Sequence, residues 1–319
     1  MSNNFFKVLR PGINTTYQDE GRFGMQHFGV PPSGCMDYKS FSFANAIVKN
    51  KKNESVIEFV YQGPLLKLIQ GKTKIAITGN VNFKIIDSKD KIIEGECNRS
   101  YDLNTGDQID ILATKKSAYG YLSVEGGFDI KSFCKSFSTL TKAKIGPNDG
   151  NKINIEDKVI IKKTSEKKNN FEISNFLEET NIIRVLRGPQ YNFFSDKSKK
   201  SFFSQNYKIT NLTDRMGMRL QGIALENIIS TNIRSEGITK GAIQVPADGQ
   251  PIILLTDYPT IGGYPKIANI ISADYDLLVQ KTPGTNISFK CIDLKEAEQL
   301  YKDRQNKILK IIKDIKEIN

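Results

Sequence analysis

Tryptophan is absent from this chain, histidine occurs once, at His27, and four cysteines (Cys35, Cys97, Cys134 and Cys291) are spread thinly through 319 residues. A single histidine excludes multi-histidine metal sites and makes any Ser-His-Asp or Cys-His catalysis depend on that one position. We read His27 as a structural or surface residue. No two cysteines form a C-x-x-C pair, which excludes a zinc knuckle and a dithiol redox motif; free thiols and no bound metal are expected. Long apolar runs are missing as well. Residues 252–255 (IILL) are among the longest, whereas a membrane-spanning helix needs ~20 residues. The opening MSNNFFKVLR has no charged region followed by an apolar one and does not read as a secretion signal. These absences predict a cytoplasmic protein without membrane association.

What is abundant is lysine. Lys and Arg number 46 against 35 Asp and Glu, for a formal net charge of +11, an excess that invites an anionic partner. The lysines are scattered through turns, as at Lys49, Lys51 and Lys52, Lys115 and Lys116, or Lys199 and Lys200. They are not concentrated on one helix among aromatics, so nucleic acid is not expected. At this length the chain can bury a sizeable core as one large unit or two domains.

The periodicity is mostly that of strands. β-rich runs recur between turn signals at residues 55–61, 65–69, 74–78, 82–87, 108–112, 118–124, 158–162, 182–186, 242–245 and 252–256, the spacing of an all-β sandwich or barrel. Helical signals are few. Residues 37–48 place Phe41, Ala44 and Val48 on one face with Asp37 as N-cap. Residues 294–319 carry an apolar stripe (Leu300, Ile308, Ile311, Ile312, Ile315, Ile318) against a lysine-rich face. Such a basic amphipathic helix can lie on a membrane or grip a partner; we prefer a terminal helix packed on its own domain.

A polar break between residues 162 and 181 marks the best domain boundary. The expected organisation is an N-terminal β lobe at 1–165, an interlobe segment at 166–181, a C-terminal β lobe at 182–293 and the helix at 294–319. Val8-Leu9-Arg10-Pro11-Gly12 is echoed by Val185-Leu186-Arg187-Gly188-Pro189, a hint of duplicated lobes.

Chemistry concentrates in residues 235–268, SEGITKGAIQVPADGQPIILLTDYPTIGGYPKIA. Two short apolar runs there deliver a polar, glycine-containing loop holding Asp257, Thr260, Gly262, Gly263, Tyr264 and Lys266. Paired glycines allow backbone N–H groups close approach to a ligand, beside an acid, a hydroxyl, a phenol and an amine. Glu236 and Gln244 can add a carboxylate and an amide, and Arg215 and Arg219, in the run 214–219, place two guanidinium groups near a turn, suited to an acidic substrate. For Lys266 a plain surface position is the competing reading, and for Arg215 a salt bridge between domains. The string Gly71-Lys72-Thr73 resembles the end of a phosphate-binding loop, but Leu66 stands where that motif needs glycine. It is expected to be a hairpin turn, with no ATP held by a Walker loop. The Gly- and Pro-rich stretch from Gln18 to Gly34 reads equally as a functional loop or a structural clasp.

In order along the chain, Pro11-Gly12, Thr15-Thr16-Tyr17-Gln18-Asp19-Glu20-Gly21-Arg22, Ser33-Gly34-Cys35-Met36-Asp37, Gly188-Pro189-Gln190, Asp214-Arg215-Met216-Gly217, Ser235-Glu236-Gly237, Gln244-Val245-Pro246 and Gly262-Gly263-Tyr264-Pro265 resemble the biotin-dependent carboxyltransferase-like family. Its members include 5-oxoprolinase C subunits, also described as allophanate hydrolase subunit 2 or KipA-type proteins, and the carboxyltransferase module of urea carboxylase. Cys35 departs from the small residue expected there. The resemblance implies a mainly β fold of two cyclophilin-like β-barrel lobes with a few short helices. It implies an ATP-dependent hydrolase that opens the lactam of 5-oxo-L-proline to L-glutamate together with 5-oxoprolinase subunits A and B, with ATP on or shared with those partners. The alternatives it leaves are a biotin-dependent urea or amide carboxyltransferase, with biotin arriving on another chain, and a KipA-type regulatory protein that antagonises a kinase inhibitor. On the enzyme reading, Lys266, Asp257 and Glu236 are the catalytic candidates. Arg215, Gln244, Thr260, Gly262, Gly263 and Tyr264 would bind a small amide substrate.

Overall fold

A computed structural model of the chain describes residues 4–162, 169–174, 176 and 178–318. Two compact units divide it, one of Met1–Arg22, Ser33–Phe176 and Ile308–Asn319, the other of Phe23–Pro32 and Leu177–Lys307.

The first unit contains β1 (Asn4–Arg10), β2 (Thr15–Gln18), α1 (Tyr38–Ile47), β3 (Val56–Val60), β4 (Leu65–Gln70), β5 (Lys72–Gly79), β6 (Val81–Ile86), β7 (Ile92–Glu94), β8 (Ser100–Asn104), β9 (Gln108–Thr114), β10 (Tyr119–Val124), β11 (Lys158–Ile161) and β12 (Asn170–Glu172). They form a six-stranded sheet, β11-β1-β4-β9-β6-β7, and a five-stranded sheet, β2-β3-β10-β5-β8. Alternate side chains from both sheets meet in one core around Phe6, Leu66, Phe83, Phe59, Ile77 and Leu122, each such burial stabilising by roughly 1.5–3 kcal/mol. Helix α1 starts where the sequence predicts. The Asp37 side chain accepts from the Ser40 N–H at 3.1 Å, while Glu58 and the Tyr121 hydroxyl accept the N–H groups of Met36 and Asp37 at 2.8 and 2.7 Å. Burial, with Glu58 and Asp37 nearby, pushes the Tyr121 phenol well above its ordinary range.

The turn at Gly71 corrects an expectation. β4 and β5 are not a hairpin, because β4 pairs with β1 and β9 whereas β5 pairs with β10 and β8. Gly71, at φ +101°, carries the chain from one sheet to the other through a backbone region that other residues enter only with strain. The polar break at 162–181 is not featureless either, since it holds β12; residues 163–168, 175 and 177 within it lie outside the described residues.

The second unit contains β13 (Ile182–Arg187), α2 (Asp196–Ser204), β14 (Tyr207–Thr213), β15 (Gly217–Gln221), β16 (Glu236–Gly237), β17 (Ala242–Gln244), β18 (Ile252–Leu254), β19 (Ile261–Gly262), β20 (Lys266–Ile270), α3 (Tyr275–Val279), β21 (Asn286–Cys291) and the start of α4 (Leu294–Lys313). Seven strands close into a barrel in the order β13-β20-β17-β18-β15-β14-β21. Alternation assigns the faces. Val185, Met218, Leu220, Ile243, Ile253, Ala268 and Phe289 are buried, whereas Arg219 and Gln221 on β15, pointing the other way, are exposed. Phe202 of α2 stacks on Phe289 with ring centroids 4.6 Å apart.

The chain end returns to the first unit. There Ile308 is buried and Ile311, Ile312 and Ile315 pack against the cluster of Phe43, Ile47 and Ala76. The helix stops at Lys313, short of residue 319, because β22 (Lys316–Ile318) pairs with β12, and the ladder of an edge strand replaces the hydrogen bonds that further helix would make.

Candidate functional site

Three registers place one row of residues across four strands of the barrel. Lys266 on β20 is opposite Gln244 on β17, Gln244 is opposite Ile252 on β18, and Ile252 is opposite Arg219 on β15. Opposed residues share a face of the sheet. The neighbouring row, Ala268, Ile243, Ile253 and Met218, is the buried one, so Gln244, Ile252 and Arg219 lie on the outer face of the barrel. A register shift between Ile243 and Gln244 lets Lys266 join the end of that row.

This end of the outer row is roofed. β16 and β19 form a two-stranded ribbon in which Glu236 pairs with Gly262. Lys266 is only 5% exposed, and its Nζ lies 2.5 Å from Glu236 Oε1. Gln190, shortly after β13, holds both partners. Its Nε2 donates to Glu236 Oε1 at 2.9 Å, and its Oε1 accepts the Lys266 backbone N–H at 3.1 Å. The hydrogen bonds to Glu236, that of the Lys266 ammonium first and that of the Gln190 amide second, hold its carboxyl below the usual glutamate range. Glu236 remains partly open to solvent, its side chain 44% exposed. The site therefore offers a buried ammonium anchored by a carboxylate that solvent can reach.

Gly262 does not act as a flexible turn. Any Cβ there would come within 2.6 Å of both Gln244 Nε2 and Ile238 Cδ1, so a larger residue would push the ends of these two side chains aside. Gly263 accepts the Ile233 N–H at 2.8 Å and Thr260 accepts that of Ile238 at 3.2 Å, both through backbone carbonyls that hold the roof. Tyr264 is 41% exposed. Arg215 and Asp257 are brought to one another instead: Nε and Nη2 meet the two carboxylate oxygens at 2.9 and 3.0 Å in a buried bidentate pair. A backbone hydrogen bond from Asp257 to Arg215, 2.8 Å, closes the same contact. Both charges are engaged in that pair.

Beyond the roof the row opens into a cavity of about 470 Å³ lined by Gln244, Ile252, Leu254, Gly217, Arg219, Pro259 and the β14–β15 turn. Gln244 thus joins cavity and roof. It is 5% exposed, and among the described residues its Nε2 has no hydrogen-bond partner.

Residue types alone do not mark Gln190 as a site residue. For Gln190 the available signal is its place right after the Gly-Pro that ends the echoed strand; Arg219 is the second of the two guanidinium groups read from the 214–219 run, and alternation along β15 puts it on the outer face. The Gln18–Gly34 stretch resolves at its start toward a clasp. Asp19, fully buried, accepts from Gly21 N–H, Ser136 Oγ, Phe137 N–H and Ser138 Oγ at 2.6–2.8 Å, and the Arg22 guanidinium donates to the Ser138 carbonyl. His27 is exposed, and no disulfide joins any two cysteines among the described residues. Among the described residues no group of His, Cys, Asp and Glu side chains is arranged to hold a metal ion, and no helix is long and apolar enough to cross a membrane.

A two-sheet unit, a closed barrel and an anchored lysine beneath a ribbon belong to a recognisable class of domain. The chain is a member of the family described as carboxyltransferase domain, subdomain A and B, matched over residues 28–291. It is similar to the C subunit of 5-oxoprolinase from Haemophilus influenzae, at 33% identity over 94% of this chain and 95% of that protein. The protein of the same name from Escherichia coli is 32% identical over the same shares, 94% and 95%. Urea amidolyase of Lachancea kluyveri is 30% identical over 97% of this chain but only 18% of its own length. Among solved structures, that of the K. lactis urea amidolyase superposes with a TM-score of 0.87 at 27% identity, covering 97% of this chain and 20% of that one. TTHA0988 superposes with a TM-score of 0.78 at 27% identity, covering 91% and 56%.

Proposed function

We propose that this protein is the C subunit of a 5-oxoprolinase that, with partner A and B subunits and at the expense of ATP, opens the lactam of 5-oxo-L-proline to L-glutamate. The end-to-end similarity to two proteins of that name, 95% of their length in each case, carries the reading. The urea amidolyase similarity touches less than a fifth of those longer chains, 18% and 17%.

The residues fit amide chemistry. Hydrolysis adds water oxygen to the lactam carbonyl carbon, breaks the C–N bond and leaves a proton on nitrogen. Charge develops on the carbonyl oxygen, where a fixed cation in a dry setting is most effective. Lys266 is that cation, with Gln244 as a neighbouring amide donor. Glu236, ionised and solvent-reachable, is the group that can accept a proton from water, and Tyr264 at the rim supplies a flat face for the ring. Arg215 and Asp257 act as a strut that fixes the ends of β15 and β18. Thr260, Gly262 and Gly263 support the roof.

ATP does not fit the described residues as a phosphate loop would hold it. Gly71-Lys72-Thr73 joins strands of two sheets and opens no helix. Nucleotide is assigned to the partner subunits, and none of these steps is routed through it. The same amide-directed site suits a carboxyltransferase, the reading favoured by the K. lactis superposition at a TM-score of 0.87. The two separate cleanly on reconstitution with partner subunits: glutamate release from 5-oxo-L-proline that needs ATP and ignores avidin supports the 5-oxoprolinase. Turnover abolished by avidin points to carboxyl transfer.

A further inference from the structure

We infer that the cavity beyond the roof is the seat of the substrate and that Arg219 receives its carboxylate. The inference rests on the 5-oxoprolinase reading for the identity of the ligand, though not for the existence of the pocket.

The roofed end of the outer row carries Lys266 and the buried Gln244 amide, whose nitrogen has no partner and so represents an unmet hydrogen bond. A buried donor left without an acceptor costs free energy that a ligand carbonyl would recover. The open end carries Arg219, whose guanidinium has no hydrogen bond, ion pair or ring contact among the described residues, while lining the same cavity. Between them lie Ile252 and Leu254, with Met216 and Pro259 on the walls. The order is amide donor, apolar patch, guanidinium. The complementary ligand is a small molecule with a carbonyl at one end, a few methylenes in the middle and a carboxylate at the other, which describes a lactam carboxylic acid.

Scale and charge agree. Gln244 and Arg219 are separated by two strand steps, about 10 Å between backbones at ~4.8 Å per step, and both residues line the space between. The volume of about 470 Å³ falls in the ~300–1,000 Å³ range of small-molecule sites. Asp214, also on the lining, would repel a carboxylate if its charge faced the cavity alone. Its Oδ1, however, accepts the N–H groups of Met216 and Gly217 at 2.7 and 3.1 Å and closes the turn, leaving the Arg219 fork as the group suited to bidentate capture of an anion. With the carboxylate on Arg219, the lactam carbonyl lies at Gln244, the residue opposite Lys266 in the outer row.

Two measurements test this together. Dissociation constants of 5-oxo-L-proline and of 2-pyrrolidinone, the same ring without the carboxylate, are determined by titration calorimetry on the full chain, wild type and Arg219→Met. The wild type is expected to bind the acid more tightly, and Arg219→Met to lose about tenfold to a hundredfold for the acid while its affinity for the neutral lactam stays put; Arg219→Lys should recover part of the loss. Equal binding of the acid by wild type and Arg219→Met, or no binding of the acid by wild type, overturns the pocket. Turnover in the reconstituted assembly then tells the two readings apart. Glutamate release with an unchanged KM in Arg219→Met rejects the pocket and keeps the function, and a retained difference in affinity without glutamate release rejects the function and keeps the pocket.

Discussion

Lys266, Glu236 and Gln190 form a triad of contacts in which each residue has a separable task. Replacing Lys266 by Met removes the cation and leaves Glu236 solvated, so the fold should survive while kcat in the assembled enzyme falls by about a hundredfold or more. Gln190→Ala keeps both charges but frees their orientation. The pH dependence follows from Glu236. Its folded value lies below the ordinary one because Lys266, and then Gln190, hydrogen-bond the carboxylate. Its contribution to stability is therefore complete above the ordinary glutamate range and is lost as pH falls from there through the lowered folded value. In acid-unfolding curves Glu236→Gln should lack that increment and show a shallower loss below about pH 4.3. Curves of identical shape for variant and wild type would show the pair to be absent in solution. At the strut, Arg215→Met takes the guanidinium away from the buried Asp257 carboxylate and should cost about 3–5 kcal/mol in denaturant titration, with replacement of both residues costing less than the sum of the two single changes. Gly262→Ala, whose Cβ would displace the side-chain ends of Gln244 and Ile238, should cost about 1 kcal/mol in the same titration, the low end of an overpacking cost. Much of this site is legible in residue types and little of it in their pairing. Glu236 and Lys266 stand out in sequence because a carboxylate and an amine flank short apolar runs. Their contact depends on a ribbon of two-residue strands, β16 and β19, too short for any periodicity to register. Asp257 reads as a free acid because nothing in sequence separates a base from half of an ion pair 42 positions away.

At the level of elements, the strands that announce themselves are those rich in Val and Ile, such as β3, β5, β10 and β18. β14, β20 and β21 are not among those runs; β14 and β21 do alternate apolar and polar residues, a quieter signal than a continuous Val and Ile run. The turn at Gly71 misleads since a short link between strands is usually a hairpin, and only the pairing partners reveal a sheet change. α4 shows how one pattern can serve two structures. Its isoleucine stripe is helical as far as Ile312, yet Ile318 belongs to a strand laid against β12. If this terminal segment contributes to the first core, Ile308→Ala, at a site 2% exposed, should destabilise by about 2–5 kcal/mol. A loss below about 0.5 kcal/mol in equilibrium unfolding, the size expected of a surface change, would mean that the segment merely rests on the surface.

For the whole molecule, the barrel and its roof place an anchored cation and an unmet amide on one outer row; on the proposed function, the remaining chemistry falls to other chains. Lysines scattered along the sequence give the protein its net charge of +11. The proposed chemistry stands or falls with Lys266 acting on the lactam carbonyl. What decides it is the rate of glutamate release from 5-oxo-L-proline by the reconstituted assembly, ATP present, with wild-type chain and with Lys266→Met. We expect steady release by the first and at least about a hundredfold slower release by the second, with the assembly intact by gel filtration. Equal rates, or no glutamate from the wild-type assembly, would contradict it.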